Sequence, residues 1–546
     1  MTTEDSDGQR RGPLRWLPSL RRPRRWPSRP AWLRLPRRRR TGGTGGEGAG
    51  RKPRLQPTPL GLFGIMLAAM FLTLLLIQTF LGDFRAGEEL EEDNRTPSVD
   101  ATPPEGTARI MVAGDSTVQG SSGDHTWRYR LWTHLDERSG ADVEFVGPYD
   151  DLLDVNTDSG GNQEYADPGF DRAHAARWGA TAEEIAADIG EHVAEHEPHY
   201  LLLVAGVNDL VTGDSAQDAL DHLAEAVVTA RVGQDDIRVV LGELTPVWDT
   251  GRDKQMNERI QRFNQGLPAL AEQLTGKDSP VVVAHTAADY SPAEDNWDTT
   301  HPNARGQVKI AAAFADTLSE SLGLGEPYPR PLPDVEVGPQ DRTEVSAEEN
   351  DGAVELTWDP VPGATRYQVL QKRVRPEPDE LVALPMEVDG DAGQDGEPQS
   401  ATVENLLSGA TYEFRIRPFK GNDGGRRTEP VRVSVDDDPP GTPESVRIED
   451  DGETLVWSDV AGAGHYEVWR RPLDCEPGTG GEPECEPQDG RDPDSGEGWT
   501  VGAVVEDGTE WTISADGGGG YEFVVRAHQD FLAGGYSDPV ALDTAE

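Results

Sequence analysis

The chain holds a serine, an aspartate and a histidine in settings that suit nucleophilic catalysis. Ser116 closes Gly114-Asp115-Ser116, directly after the apolar run Arg109-Ile110-Met111-Val112-Ala113, which reads as a buried strand. Far downstream, Asp298-Thr299-Thr300-His301-Pro302 sets a carboxylate and an imidazole at i and i+3. A serine hydroxyl is a poor nucleophile at neutral pH until a base takes its proton, and a histidine held by a carboxylate is the usual base. All three residue types are common. The pattern acquires meaning only if a scaffold brings them together and supplies donors for an oxyanion.

The intervening sequence predicts such a scaffold. Short apolar runs over 110–113, 143–146, 200–205, 237–241 and 281–284 read as strands. Between them run helical stripes: Trp127, Leu131 and Leu135; Ile185, Ile189 and Val193; and Leu220, Leu223, Ala224, Val227 and Val228, entered through Asp214-Ser215 as a cap. Strand–helix alternation with apolar strands predicts a parallel sheet covered on both faces, with ligands at the carboxyl ends of the strands. Ser116 stands at one such end.

On these residues, 108–323 resembles an SGNH (GDSL-type) hydrolase. The blocks are Gly114-Asp115-Ser116, the glycine of Ala176-Arg177-Trp178-Gly179-Ala180-Thr181, Gly206-Val207-Asn208-Asp209, and Asp298-Thr299-Thr300-His301-Pro302, in family order. The resemblance implies a three-layer, flavodoxin-like α/β domain with Ser116 as nucleophile, His301 as base and Asp298 orienting it. It also implies an oxyanion hole from the N–H groups of Ser116 and Gly179 and the side-chain amide of Asn208, and neither cofactor nor metal. Asp115 and Asp209 read as loop-supporting. His192-Val193-Ala194-Glu195-His196 fits H-x-x-E-H, a zinc-peptidase pattern. Its position near a helix end, where cationic histidines suit the dipole, favours a structural role. The G-x-S-x-G pattern of α/β hydrolases is excluded by Val118. Trp127-Arg128-Tyr129-Arg130-Leu131, Val143-Glu144-Phe145-Val146-Gly147 and Trp178-Gly179-Ala180-Thr181 are similar to bacterial carbohydrate esterases of the acetylxylan type.

Charge divides the chain. Asp plus Glu number 100 against 50 Lys plus Arg, yet residues 1–58 are Arg-rich, with Arg37-Arg38-Arg39-Arg40 as one block. The uncharged apolar stretch 60–81 is long enough to span a bilayer. The positive-inside rule then places 1–58 in the cytoplasm as a disordered arm, 59–82 as a transmembrane helix and the rest outside. A cleavable leader fits less well: the arm is long, and Thr79-Phe80-Leu81-Gly82-Asp83 offers no good cleavage site. The arm reads first as a disordered topology signal, with binding of anionic lipid or nucleic acid as the alternative. The acidic exterior disfavours a nucleic-acid partner, since phosphate contact needs cations.

Residues 83–107 read as an acidic linker and 324–340 as a Pro-rich, semi-rigid one. Two all-β units follow, 341–437 and 441–544. Each carries a Trp strand (Val354–Trp358; then Thr454, Leu455, Val456 and Trp457), paired strands and a Tyr strand, and each resembles a fibronectin type III module. Leu406, Ser408 and Tyr412 approximate that family's tyrosine corner; the second module matches it less well. The modules read as spacers or weak adhesion units. Cys475 and Cys485 read as a local disulfide in a Gly/Pro-rich loop of an exported region, and two cysteines are too few for structural zinc. The resulting expectation is a membrane-anchored extracellular esterase. It would remove O-acyl, above all O-acetyl, groups from a polysaccharide or cell-wall glycan. A lipase-like or acyltransferase member, or an adhesion protein with a secondary hydrolase domain, are the alternatives.

Overall fold

Strands β1 (Ala108–Gly114), β2 (Val143–Val146), β3 (Tyr200–Val204), β4 (Arg238–Gly242) and β5 (Val281–Ala284) pair in the order β2-β1-β3-β4-β5, every pairing parallel. The computed structural model describes residues 103–248, 253–391, 397–450, 452–477, 483–487, 493–495, 497–514 and 520–542. The Arg-rich arm, the apolar stretch 60–81 and nearly all of the acidic linker lie outside them. Among the described residues no helix is long and apolar enough to cross a membrane.

Every residue of β3 and β5 is buried, as a sheet covered on both faces requires. Its cover is α1 (Thr126–Thr133), α2 (Ala182–His196), α3 (Ala216–Gly233), α4 (Asp253–Leu274) and α5 (Ala304–Leu322). α1 packs on α5, with Trp127 stacked on Phe314 at a centroid distance of 4.7 Å, while α2 packs on α3 and α3 on α4. This strand order is flavodoxin-like, with its topological switch between β1 and β3, where such sheets bind ligands.

The predicted stripes mark α1, α2 and α3, with local differences. α1 runs on as a π-helical turn, His134–Arg138, that keeps Leu135 buried. In α3 the cap is Ser215, which forms a reciprocal capping box with Asp218. Val228 is 52% exposed, because Ala226, Val227 and Ala230 carry the buried face there. α4 and α5 lie beyond the predicted stripes, although Met256, Ile260, Phe263, Leu267 and Ala271 bury one face of α4. A short antiparallel hairpin, Leu152–Asp154 with Ser159–Asn162, is a further addition.

The segment 324–340 is not a free spacer. Leu324 and Tyr328 are buried in the core of the α/β domain, and Leu332 and Val335 pack against it. The Glu326 carbonyl lies 2.7 Å from His134 Nε2, and Arg330 pairs with Asp316 at 2.5 Å. Apolar residues between the prolines strap the segment down by leaving water.

Both β units are antiparallel sandwiches with the same internal marker. Val361 N–H donates to Tyr367 OH (2.7 Å) beside Trp358, and Val460 N–H donates to Tyr466 OH (2.8 Å) beside Trp457. In the first unit Leu407 N–H donates to Tyr412 OH at 3.0 Å, closing the tyrosine corner. Cys475 and Cys485 form a disulfide between directly paired residues of strands His465–Pro477 and Pro483–Pro487, an ordered ribbon where a loop was expected.

The first sandwich is docked on the α/β domain. Lys420 Nζ lies 2.8 Å from Asp124 Oδ1 and donates to the Ser122 carbonyl at 2.8 Å, with the two ionic side chains only 6% and 11% exposed. Asn422 N–H donates to the Trp297 carbonyl (2.9 Å), and Asn156 Nδ2 donates to that of Ala364 (3.0 Å). At Gly363 a Cβ would stand 2.1 Å from the Ser122 carbonyl oxygen, so the backbones meet with no room for a side chain. The reading of this module as a spacer gives way to one of a sandwich resting on the loops near Ser116.

Candidate active site

Ser116 opens a single helical turn, Ser116–Gln119, just past the carboxyl end of β1. Asp115 caps it, Oδ1 accepting from Thr117 N–H at 2.9 Å. So short a helix leaves the carbonyls after Ser116 without intrahelical partners. Side chains of α1 supply them: Trp127 Nε1 donates to the Thr117 carbonyl (3.0 Å), and the fully buried Arg128 donates to those of Val118 (2.9 Å) and Gln119 (3.0 Å). Gly114 passes so close to β3 that a Cβ would lie 2.2 Å from the Val204 carbonyl oxygen.

The two predicted oxyanion blocks are tied to this turn and to each other. Gln119 Oε1 accepts from Trp178 N–H at 2.7 Å. Gly179 follows with φ +76° and open space where a Cβ would stand, so its conformation, not crowding, favours glycine. Asn208 lies in the turn helix Val207–Thr212 after β3, and its Nδ2 donates to the Ala180 carbonyl at 3.0 Å. One amide hydrogen therefore holds the Gly179 loop, leaving the second for a ligand. Asp209 Oδ2 accepts from Ala182 N–H (2.7 Å), and its Oδ1 lies 3.0 Å from His222 Nδ1.

The loop between β5 and α5 brings in the base. Asp298 Oδ1 accepts from the N–H groups of Thr300 (2.8 Å) and His301 (2.7 Å), while Oδ2 lies 2.8 Å from His301 Nδ1. His301 Nε2 lies 3.0 Å from Ser116 Oγ, across a sequence separation of 185. An ionised carboxylate only accepts, so Nδ1 carries the proton and Nε2 is free to accept from the serine hydroxyl. The imidazole stacks on Trp178 (centroids 4.3 Å apart) and on Trp297 (5.4 Å).

Electrostatics differ between the two aspartates beside His301. Burial alone would raise the Asp298 carboxyl, but bonds from the His301 ring and from two backbone N–H groups outweigh it and hold the group below the ordinary carboxylate range. Burial dominates at Asp115 and pushes it up to about 6, with Oδ2 buried and without a hydrogen-bond partner. Ser116 itself is 6% exposed, and the cavity beside it is about 10 Å³, close to the least that holds one water.

Ser116, His301, Asp298, Gly179 and Asn208 thus converge at the carboxyl ends of β1, β3 and β5. Cys475 and Cys485 belong to the second sandwich. His192 packs edge-on against Tyr149 (6.0 Å), and the H-x-x-E-H residues form no cluster of ligand atoms. The group of that kind among the described residues is Asp209, Asp214 and His222, where Asp209 spends both oxygens on hydrogen bonds that brace the Asn208 loop. Gln119, Arg128, Trp178 and Trp297 are site-building residues that the motifs do not assign. Their signals are weak ones: Trp178 directly precedes Gly179, and Trp297 directly precedes Asp298.

Residues 112–309 match the model of the GDSL-like lipase/acylhydrolase family, and residues 338–434 match that of the fibronectin type III domain. The chain is 22% identical over 273 residues to a multidomain esterase of Ruminococcus flavefaciens, covering 47% of this chain and 33% of that protein. It is 31% identical over 157 residues to a ferric enterobactin-binding periplasmic protein of Escherichia coli, covering 26% and 45%. It therefore spans less than half the length of these curated relatives. A solved family 3 carbohydrate esterase of Clostridium thermocellum is 21% identical and aligns with 40% of this chain and 100% of its own, at a TM-score of 0.32.

Proposed function

We propose, from a chain that carries an ester-hydrolase domain of the GDSL-like lipase/acylhydrolase family over residues 112–309, a serine esterase that removes short O-acyl groups, acetyl above all, from a carbohydrate or cell-wall glycan. The observation that carries this reading is the relay from Ser116 Oγ to His301 Nε2 (3.0 Å) and from His301 Nδ1 to Asp298 Oδ2 (2.8 Å).

In the proposed mechanism Ser116 Oγ attacks the ester carbonyl as its proton passes to His301 Nε2. Asp298 holds Nδ1–H and stabilises the imidazolium. The carbonyl oxygen takes the negative charge and accepts from the N–H groups of Ser116 and Gly179 and from the second amide hydrogen of Asn208. Collapse breaks the bond to the alcohol oxygen, which takes the proton from His301 and leaves. Water then attacks the acyl-serine by the same route, releasing the acid and restoring Ser116. The cramped cavity beside Ser116 supports a short acyl group over a long one. Hydrolysis of p-nitrophenyl esters across chain lengths tests this: acetate should be preferred, and preference for long chains would favour a lipase-like enzyme.

The uncharged stretch 60–81 behind an Arg-rich arm supports anchorage in a membrane with the catalytic domain outside. Protease added to intact cells should remove the hydrolase domain and spare an epitope placed in residues 1–58. The reverse result would invert the topology.

A further inference from the structure

A cavity of about 560 Å³ opens between the hydrolase domain, the strapped segment and the first sandwich, within the ~300–1,000 Å³ range of small-molecule sites. It adjoins the catalytic centre: Asp124, Trp297 and Gln307 line both this cavity and the small one beside Ser116. Its walls are fixed by the buried Lys420–Asp124 pair.

Its polar groups are poorly satisfied by the protein. Among the described residues the Arg130 guanidinium makes no hydrogen bond or ion pair, and its Nε is buried without a partner. Gln340 Oε1 and Asp423 Oδ2 are likewise buried and unpartnered, Asn303 serving the Asp423 carboxyl elsewhere. Buried polar atoms are nearly always paired, so such atoms from the hydrolase domain, the connecting segment and the sandwich, all on residues lining one cavity, call for another partner. They comprise one donor group and two acceptors. Hydroxyls both donate and accept, so sugar hydroxyls match such a set. An anionic ligand would meet Asp124 and Asp423, and an acyl chain would leave these polar groups unpaired.

We infer that this cavity is a glycosyl subsite, which binds the neutral sugar chain carrying the scissile ester, with Arg130 donating to hydroxyls and Gln340 and Asp423 accepting from them after side-chain rotation. The first sandwich is then part of the substrate-binding surface. The inference rests on the carbohydrate-esterase reading and deepens it.

The test uses the full chain with O-acetylated xylo-, manno- and chito-oligosaccharides and with p-nitrophenyl acetate, which has no sugar. For Asp423→Ala and Arg130→Ala, the ratio of kcat/KM on the best oligosaccharide to that on p-nitrophenyl acetate should fall about tenfold or more, mainly through KM. Arg130→Lys should recover part of it. A ratio is independent of the fraction folded, so a partly misfolded variant still reports. Oligosaccharide hydrolysis with an unchanged ratio in both alanine variants would overturn the subsite and leave the esterase reading intact. Turnover of p-nitrophenyl acetate with none of the oligosaccharides would instead overturn the carbohydrate reading, and the subsite with it.

Discussion

The imidazole of His301 lies stacked on the indole of Trp178, their centroids 4.3 Å apart and their planes 24° from parallel. Trp178 is itself held through its N–H to Gln119 Oε1, so the nucleophile turn, the Gly179 loop and the base form one assembly. Trp178→Ala should free the imidazole to swing from Ser116 and lower kcat by about 10- to 100-fold, since an ~1 Å misplacement has that scale of cost. Trp178→Phe keeps an aromatic face and should retain most activity. Steady-state kinetics on p-nitrophenyl acetate decide it; equal loss in both variants would show that stacking is not what positions His301.

Asn208 has one amide hydrogen on the Ala180 carbonyl and one to offer an oxyanion. Asn208→Ala should lower kcat about 10²–10³-fold with little change in KM, the signature of a donor used in the transition state. Asn208→Asp, similar in shape but no donor when ionised, should lose at least as much. Near wild-type kcat in Asn208→Asp would remove the residue from the oxyanion hole.

Asp115 titrates near 6 in the folded protein, above its ordinary value, so the fold retains a proton that the unfolded chain has released. The stability from this group is fully present below about pH 3.8 and is lost as pH rises through about 6. Asp115→Asn keeps an oxygen for the Thr117 N–H and has nothing to ionise. Denaturation midpoints from pH 4 to 8 should show the variant gaining on the parent across that window, by up to about 3 kcal/mol. A constant difference across the range would contradict the shift.

Lys420 and Asp124 form a buried pair across two domains. Asp124 also accepts from Ser121 N–H (2.9 Å) and Oγ (3.0 Å), so the pair holds the loop next to the nucleophile turn. Lys420→Met strands a buried carboxylate, which costs about 3–5 kcal/mol when it cannot relax. Amide hydrogen exchange should quicken over 121–125 and 420–424, and adding Asp124→Asn should restore part of the protection. Unchanged exchange in the single variant would mean that the pair does not secure the docking.

What the sequence makes legible here is what short segments encode. The β1 strand and Gly114-Asp115-Ser116 are contiguous, and Asp298 and His301 lie in one loop, so spacing alone brings each group near its partner. Gly179 and Asn208 are readable because each sits at a strand end or helix start that an apolar run announces. Trp297, Lys420 and Arg130 are not readable in this way. Their surroundings depend on a sandwich, more than a hundred residues downstream of Trp297 at Lys420, settling on the hydrolase loops, and no local periodicity reports which face of a module docks. The strapped segment misleads for a related reason: its prolines suggest a semi-rigid linker, while the burial of Leu324 ahead of them and of Tyr328 among them is decided by the groove they meet.

The central claim is that Ser116 attacks an ester with His301 as its base, and its most direct test is p-nitrophenyl acetate hydrolysis by the full chain and by Ser116→Ala. The relay predicts turnover by the parent and a loss of at least about 10⁴-fold in kcat on removing the hydroxyl, with only oxyanion-hole and binding effects remaining. Wild-type turnover by Ser116→Ala, or no ester hydrolysis by the parent protein, would contradict it.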